Sequence, residues 1–182
     1  MEDYALILDY LPQGLSTDKS FKREPLAYAI GESEFKLFEL IPKHDAIITI
    51  GDRVYIGKEP NLRDKIVHVK RRVGYEELTA AAQAELPFII QDIAKSQEAR
   101  FVKFFNEAQA ITTRFHMLEL IPGLGKKTMW AIIEERKKGA FTSYEDITKR
   151  VPALKHPEKL VAKRIEDELS DPSQKYRIFV SR

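Results

Sequence analysis

The chain reads as an α+β protein in two parts. A small β-barrel is predicted over residues 1–73 and an all-α domain of helical hairpins over residues 99–182, with connecting helices over residues 74–98. Three observations predict this. Short apolar runs bounded by Gly, Pro, Asp and Ser fill the first part, which is the pattern of strands. From Gly74 onward the apolar residues recur at helical spacing among strong helix formers. Charge divides at the same place: residues 1–73 hold 12 basic and 12 acidic groups, residues 74–100 hold 2 and 5, and residues 101–182 hold 16 and 11. The basic excess of the chain therefore lies in its last part, where an anionic ligand would need it.

The strands come in order. Residues 4–10 form a short run ended by Pro12-Gln13-Gly14, and a polar loop covers residues 16–23. Residues 26–30 and 35–40 flank the turn at Gly31-Glu32-Ser33. Residues 46–50 and 53–56 read as a pair joined tightly at Gly51-Asp52. The last strand spans residues 66–73, with Val67, Val69 and Val73 on one face. Five or six short strands in so little chain suggest closure into a barrel. The phrase Ile50-Gly-Asp-Arg-Val-Tyr-Ile-Gly57 resembles the turn of small OB-type barrels in translation and RNA-binding proteins. Lys70, Arg71 and Arg72 are consecutive, so charge falls on both faces of the last strand. Because a buried unpaired Arg is costly, the run is expected at the strand's exposed end. With Tyr55 or Tyr28 as a stacking ring, it is a candidate second nucleic-acid contact.

The helical part opens with residues 75–85, followed by a helix over residues 88–96 that has Pro87 in its first turn. The longest helix is predicted over residues 99–120, where Phe101, Phe104, Phe105, Ala108, Ile111, Phe115 and Leu118 make one apolar stripe. Such regular spacing marks core packing in preference to base stacking. The pattern breaks at Ile121-Pro-Gly-Leu-Gly125 and resumes at once. Gly123 and Gly125 permit a tight turn that turns successive N–H groups to one side. The N–H groups opening the next helix have no intrahelical acceptor, and the helix dipole there favours an anion. Lys126 and Lys127 add charge, Thr128 comes next, and Leu124 is the apolar plug between the glycines. The stretch resembles the helix-hairpin-helix motif, which grips nucleic-acid backbone without reading its sequence.

A second hairpin is expected beyond it. Thr142 and Glu145 have capping-box spacing and start a helix ending near Val151-Pro152, and another runs over about residues 157–169. Val151-Pro-Ala-Leu-Lys155 stands where Ile121-Pro-Gly-Leu-Gly125 stood, with both glycines replaced. The segment from Phe141 to Ile147 resembles the link between halves of tandem helix-hairpin-helix domains. This copy is read as mainly structural, with Lys155, Lys159, Lys163 and Arg164 supplying nonspecific charge. The tail, residues 175–182, alternates like a strand, and it is read either as returning to an edge of the barrel or as a frayed terminus.

Composition removes several functions. A hydrophobic content of 43% supports packed cores, and no cysteine is present for disulfides, thiolate catalysis or cysteine-bound metal. No apolar run is long enough for a bilayer, and no basic segment leads into an apolar one after Met1-Glu-Asp3, so a soluble cytoplasmic protein without a membrane partner is expected. His44, His68, His116 and His156 have no metal-ligand spacing, so neither metal nor cofactor is expected. Lys127 and Asp146 fall near the positions of the catalytic pair of helix-hairpin-helix DNA glycosylases, but Asp146 reads as a helix-start carboxylate. No catalytic residue is assigned. Taken whole, a small barrel followed by a helix-hairpin-helix domain resembles an archaeal family of uncharacterised proteins, with a domain of unknown function, described as predicted RNA-binding proteins. That resemblance implies a noncatalytic nucleic-acid-binding protein with RNA ahead of DNA; a DNA-binding protein of repair or recombination and a protein–protein adaptor are the alternatives. The oligomeric state is not legible.

Overall fold

The computed structural model describes residues 1–17, 19 and 23–182, so the polar loop read over residues 16–23 lies partly outside the described residues. The chain divides into two compact units, Met1–Ile89 with Glu168–Arg182, and Ile90–Asp167. The C-terminal segment therefore belongs to the same unit as the N-terminal strands, and the second unit begins at Ile90.

The first unit holds β1 (Tyr4–Leu11), β2 (Leu26–Gly31), β3 (Leu37–Pro42), β4 (Arg53–Tyr55) and β5 (Ile66–Val73) in one antiparallel sheet of order β4-β1-β2-β3-β5. Bulges between Ile7 and Asp9 on β1 and at two places on β5, where it pairs with β3, help the sheet to curl. The result is a half-barrel: β4 and β5 are its two edges and do not pair, where the sequence predicted a closed OB-like barrel. Ala5, Ile7, Ala27, Ala29, Leu40, Val54, Ile56 and Ile66 form a core cluster. Ala5, Ala27 and Ala29 leave room among the larger Ile, Leu and Val side chains on the inside of the curved sheet. β2 is buried along its whole length, so both faces of the sheet centre are covered.

Residues 46–50 are not a strand. Ile47 is 83% exposed and Ile50 44% exposed, and of the run's isoleucines Ile48 alone packs, partly buried, against the core cluster. The chain turns instead: the Thr49 N–H donates to Asp52 Oδ2 (2.9 Å), and Gly51, at φ +90°, donates to the Ile7 carbonyl (2.8 Å). A 3₁₀ turn, Tyr75–Glu77, precedes a single helix α1 (Ala80–Ser96) that contains Pro87 within it, where two helices were expected. Thr79 Oγ1 caps that helix by accepting the Ala82 N–H and ties it to β1 by donating to Asp9 (2.6 Å).

The tail does not form a strand, yet it is fixed. Phe179 and Val180 are buried, and the fully buried Glu168 carboxylate accepts the Ile178 N–H (2.6 Å) and the Phe179 N–H (3.2 Å). Ser181 donates to the Glu34 carbonyl (3.2 Å).

The second unit continues from α1 into α2 (Glu98–Glu107), the short hairpin of β6 (Ala110–Thr112) and β7 (Phe115–His116), and a 3₁₀ turn Met117–Leu120. Then come α3 (Lys126–Lys138), α4 (Tyr144–Arg150) and α5 (Pro157–Ser170), whose last turn passes into the first unit. The helix predicted over residues 99–120 thus stops at Glu107. Thr112-Thr113-Arg114 turns the chain back, and β-branched residues there favour extended backbone. Phe101, Phe105, Ala108 and Leu118 are buried as the stripe required, but only the first two lie within α2, Ala108 follows its end and Leu118 belongs to the 3₁₀ turn.

Candidate nucleic-acid interface

The first hairpin is built on two apolar pins. Ile121 and Leu124 are buried, and the Leu124 N–H donates to the Ile121 carbonyl (3.2 Å), closing the turn. Gly123 lies at φ +78°, a conformation that favours glycine. Gly125 differs from the expectation: it is extended, at φ −82° and ψ 176°, and serves as the N-cap of α3. A Cβ added at Gly123 or Gly125 would meet nothing within 4 Å, so protein packing does not demand the second glycine.

The start of α3 is open in three senses. Gly125 offers no side-chain cap, no acidic residue stands in the first turn, and Lys126, Lys127 and Thr128 occupy the positions whose N–H groups have no intrahelical acceptor. Lys127 is exposed and makes no ion pair among the described residues. Lys126 is already engaged, with Glu119 Oε1 at 3.2 Å and the Arg114 carbonyl at 3.3 Å. The Glu119 carboxylate also accepts the His116 N–H (2.7 Å), which with Lys126 holds it below the usual carboxylate range.

The second hairpin repeats the pins without the opening. Val151 and Leu154 are buried, and the Leu154 N–H donates to the Val151 carbonyl (2.9 Å). There α5 begins at Pro157, which has no N–H, and Glu158 places a carboxylate in its first turn. His156, just before it, sits at φ +52°. Of the cations expected to add charge, Lys155 and Lys159 are exposed. Lys163 faces Asp167 (3.2 Å), and Arg164 is buried with its guanidinium on the Leu120 carbonyl (3.4 Å). Asp146 accepts the Thr142 N–H (3.0 Å) and pairs with Arg150 (3.2 Å), as a helix-start carboxylate does.

The Arg run of β5 is not gathered into a site. Arg71 is bound by Glu39 (2.9 Å) and Glu77 (2.7 Å), Arg72 donates to the Ser181 carbonyl (3.0 Å), and Lys70 is exposed. The charges lie along an exposed edge strand, a placement that discourages edge-to-edge pairing. Tyr28 is buried; burial and the adjacent Glu39 carboxylate push its hydroxyl up to about 12, so it offers no stacking face. Tyr55 is on β4, the opposite edge, packed edge-on against Tyr4 at 5.3 Å. Arg72 instead shares a cleft of about 320 Å³ with Lys36, Lys58 and Arg63 over Phe38, a basic grouping that the linear sequence disperses.

Two further residues of the first hairpin escaped the sequence reading. Arg114, at the tip between β6 and β7, and Trp130, on α3, line a groove with Lys126. The signal for Trp130 was present: Met129 and Ile132 take the buried face of α3, which leaves residue 130 outside it.

A family model described as a protein of unknown function, DUF655, matches residues 1–181. The chain belongs to this family. Among DUF655 relatives, an uncharacterized protein of Methanocaldococcus jannaschii, MJ0038, is 49% identical over 180 residues, covering 98% of this chain and 80% of that protein. The crystal structure of Af1531, a DUF655 protein from Archaeoglobus fulgidus, matches with a TM-score of 0.91 and 49% identity over 99% of this chain and 100% of that one. Af1531 carries the same mixed α+β fold, and both DUF655 relatives are archaeal. Among the described residues, no helix is long and apolar enough to cross a membrane.

Proposed function

We propose that this chain is a noncatalytic, cytoplasmic nucleic-acid-binding protein whose first hairpin acts as a helix-hairpin-helix. It grips phosphate through the backbone of Gly123, Leu124 and Gly125 and through Lys126, Lys127 and Thr128. The observation that carries this reading is the uncapped, acid-free start of α3, with Lys127 unpaired beside it and open space over Gly125. N–H groups in that arrangement attract anions, and a phosphate contact carries no base information. The preference for RNA over DNA rests on the resemblance of the sequence to predicted RNA-binding proteins. Lys70, Arg71 and Arg72 contribute at most long-range attraction, since Arg71 is neutralised by two carboxylates.

Binding of short RNA and DNA, measured across a range of salt concentrations, tests the proposal. If about three phosphates are neutralised, log K falls against log salt with a slope between about −2 and −3, equally for unrelated sequences. Absence of binding, or an affinity indifferent to salt, would point to a protein partner instead.

A further inference from the structure

Trp130 is the chain's one tryptophan, and 57% of it is exposed. An indole is a large apolar surface with a single polar edge, and a side chain of that kind left in water commonly marks a contact. Its place on α3 gives that surface a meaning. Residues three and four apart share a helix face, so Trp130 stands one turn beyond Lys126 and Lys127, about 5.4 Å along the axis from the open N–H groups. The sugar of a nucleotide spans a separation of that kind between its phosphate and its base.

The indole lines a groove of about 120 Å³ together with Thr112, Arg114, Phe115 and Lys126. Arg114 is exposed, and its guanidinium makes no ion pair among the described residues. Its backbone is held in place, the N–H by Thr112 Oγ1 (3.2 Å) and the carbonyl by Lys126 Nζ (3.3 Å). The groove's one carboxylate, Glu119, is already engaged by the His116 N–H and by Lys126, so it does not oppose an anion outright. An aromatic face flanked by cations, beside a phosphate receptor, is the combination that holds a stacked base.

We infer that this groove takes one unpaired nucleobase stacked on Trp130, so that the first hairpin prefers single-stranded nucleic acid to duplex. The inference rests on the phosphate-binding reading of the same hairpin. In a duplex the faces of the bases are occupied by their neighbours and the indole has nothing to stack on. A single strand offers a base on each nucleotide, and stacking asks nothing of its identity.

Because Trp130 is alone, its emission reports this contact in the unmodified chain. Oligouridine is titrated by itself and paired with oligoadenine, with indole fluorescence and the anisotropy of end-labelled strands read in parallel. The single strand is expected to quench Trp130 to saturation along its anisotropy curve, and the duplex to quench far less at equal occupancy. W130L is expected to weaken single-strand binding roughly 5- to 150-fold, the loss of one stacked base, while W130Y retains most of the affinity and duplex binding changes little. Binding without a change in emission would overturn the inference and leave the phosphate reading standing. So would quenching accompanied by an unchanged affinity of W130L. Failure of both strands to bind would remove both readings.

Discussion

The two hairpins of the second unit share their framework and differ in what they present. Ile121 and Leu124 in the first, and Val151 and Leu154 in the second, are buried in the same way and close the same turn through the same N–H to carbonyl bond. Beyond the turn they diverge. The first leads through a bare glycine into Lys126-Lys127-Thr128, whereas the second leads through His156 into Pro157-Glu158. One helix start has free donors and positive charge. The other has a missing donor and a carboxylate on the favourable end of its own dipole. The apolar pins therefore specify the hairpin, and a separate set of residues distinguishes the copy proposed as an anion receptor. A copy can lose the second set and keep its fold.

The largest effects should come from the pins, and they should be equal. Leu124→Ala and Leu154→Ala each remove a buried side chain and are expected to cost about 2–5 kcal/mol in chemical denaturation. A large cost at one and none at the other would break the parallel. Next is Arg71→Ala, which strips the buried Glu39 carboxylate of its charged partner and should lower the thermal midpoint clearly. Its affinity for nucleic acid should stay close to that of the parent chain, because Arg71 serves the half-barrel. Charge reversal sharpens the contrast between the hairpins. Lys127→Glu should weaken binding roughly tenfold at moderate salt, and Lys155→Glu by about twofold or less, in the same anisotropy titration.

The smallest effect concerns acid. His116 precedes the first hairpin, and its Nδ1 accepts the Leu118 N–H (3.0 Å), which only the neutral ring allows. Burial and then the charge of Arg136 hold its pKa below the ordinary 6.5. The unfolded chain thus takes up this proton first. Stability is full above about pH 6.5 and declines as pH falls from there toward the lower folded value. His116→Asn keeps an acceptor side chain without a proton to gain, and should flatten the thermal midpoint across that window.

Much of this was legible in the sequence. The five strands fall on apolar runs bounded by turn residues, and the pins and the loss of glycines in the second hairpin can be read directly from the aligned phrases. What misled was periodicity without continuity. Phe101, Phe105, Ala108 and Leu118 keep helical spacing although the chain leaves the helix at Glu107 and folds back through β6 and β7. Residues 46–50 misled for the opposite reason, since β-branched residues make a strand only where a neighbour and a core await them, and Ile47 has neither. The openness of the sheet depends on whether β4 meets β5, a long-range pairing that no local pattern encodes. The groove at Trp130 required the unexpected β-hairpin, so its lining was unreadable even though the exposed position of the indole was not.

The measurement that tests the central claim most directly compares one substitution in each hairpin. Gly125 is already extended, and a side chain there meets nothing of the protein, so Gly125→Val should fold while filling the space over the α3 N–H groups. Ala153→Val, at an exposed position in the turn of the second hairpin where Gly123 stands in the first, is the control. Both are titrated with the same short RNA after circular dichroism has verified their helix content. The account predicts that Gly125→Val weakens binding roughly tenfold or more for unrelated sequences alike, and that Ala153→Val binds as the parent does. A folded Gly125→Val that binds with parental affinity would contradict it.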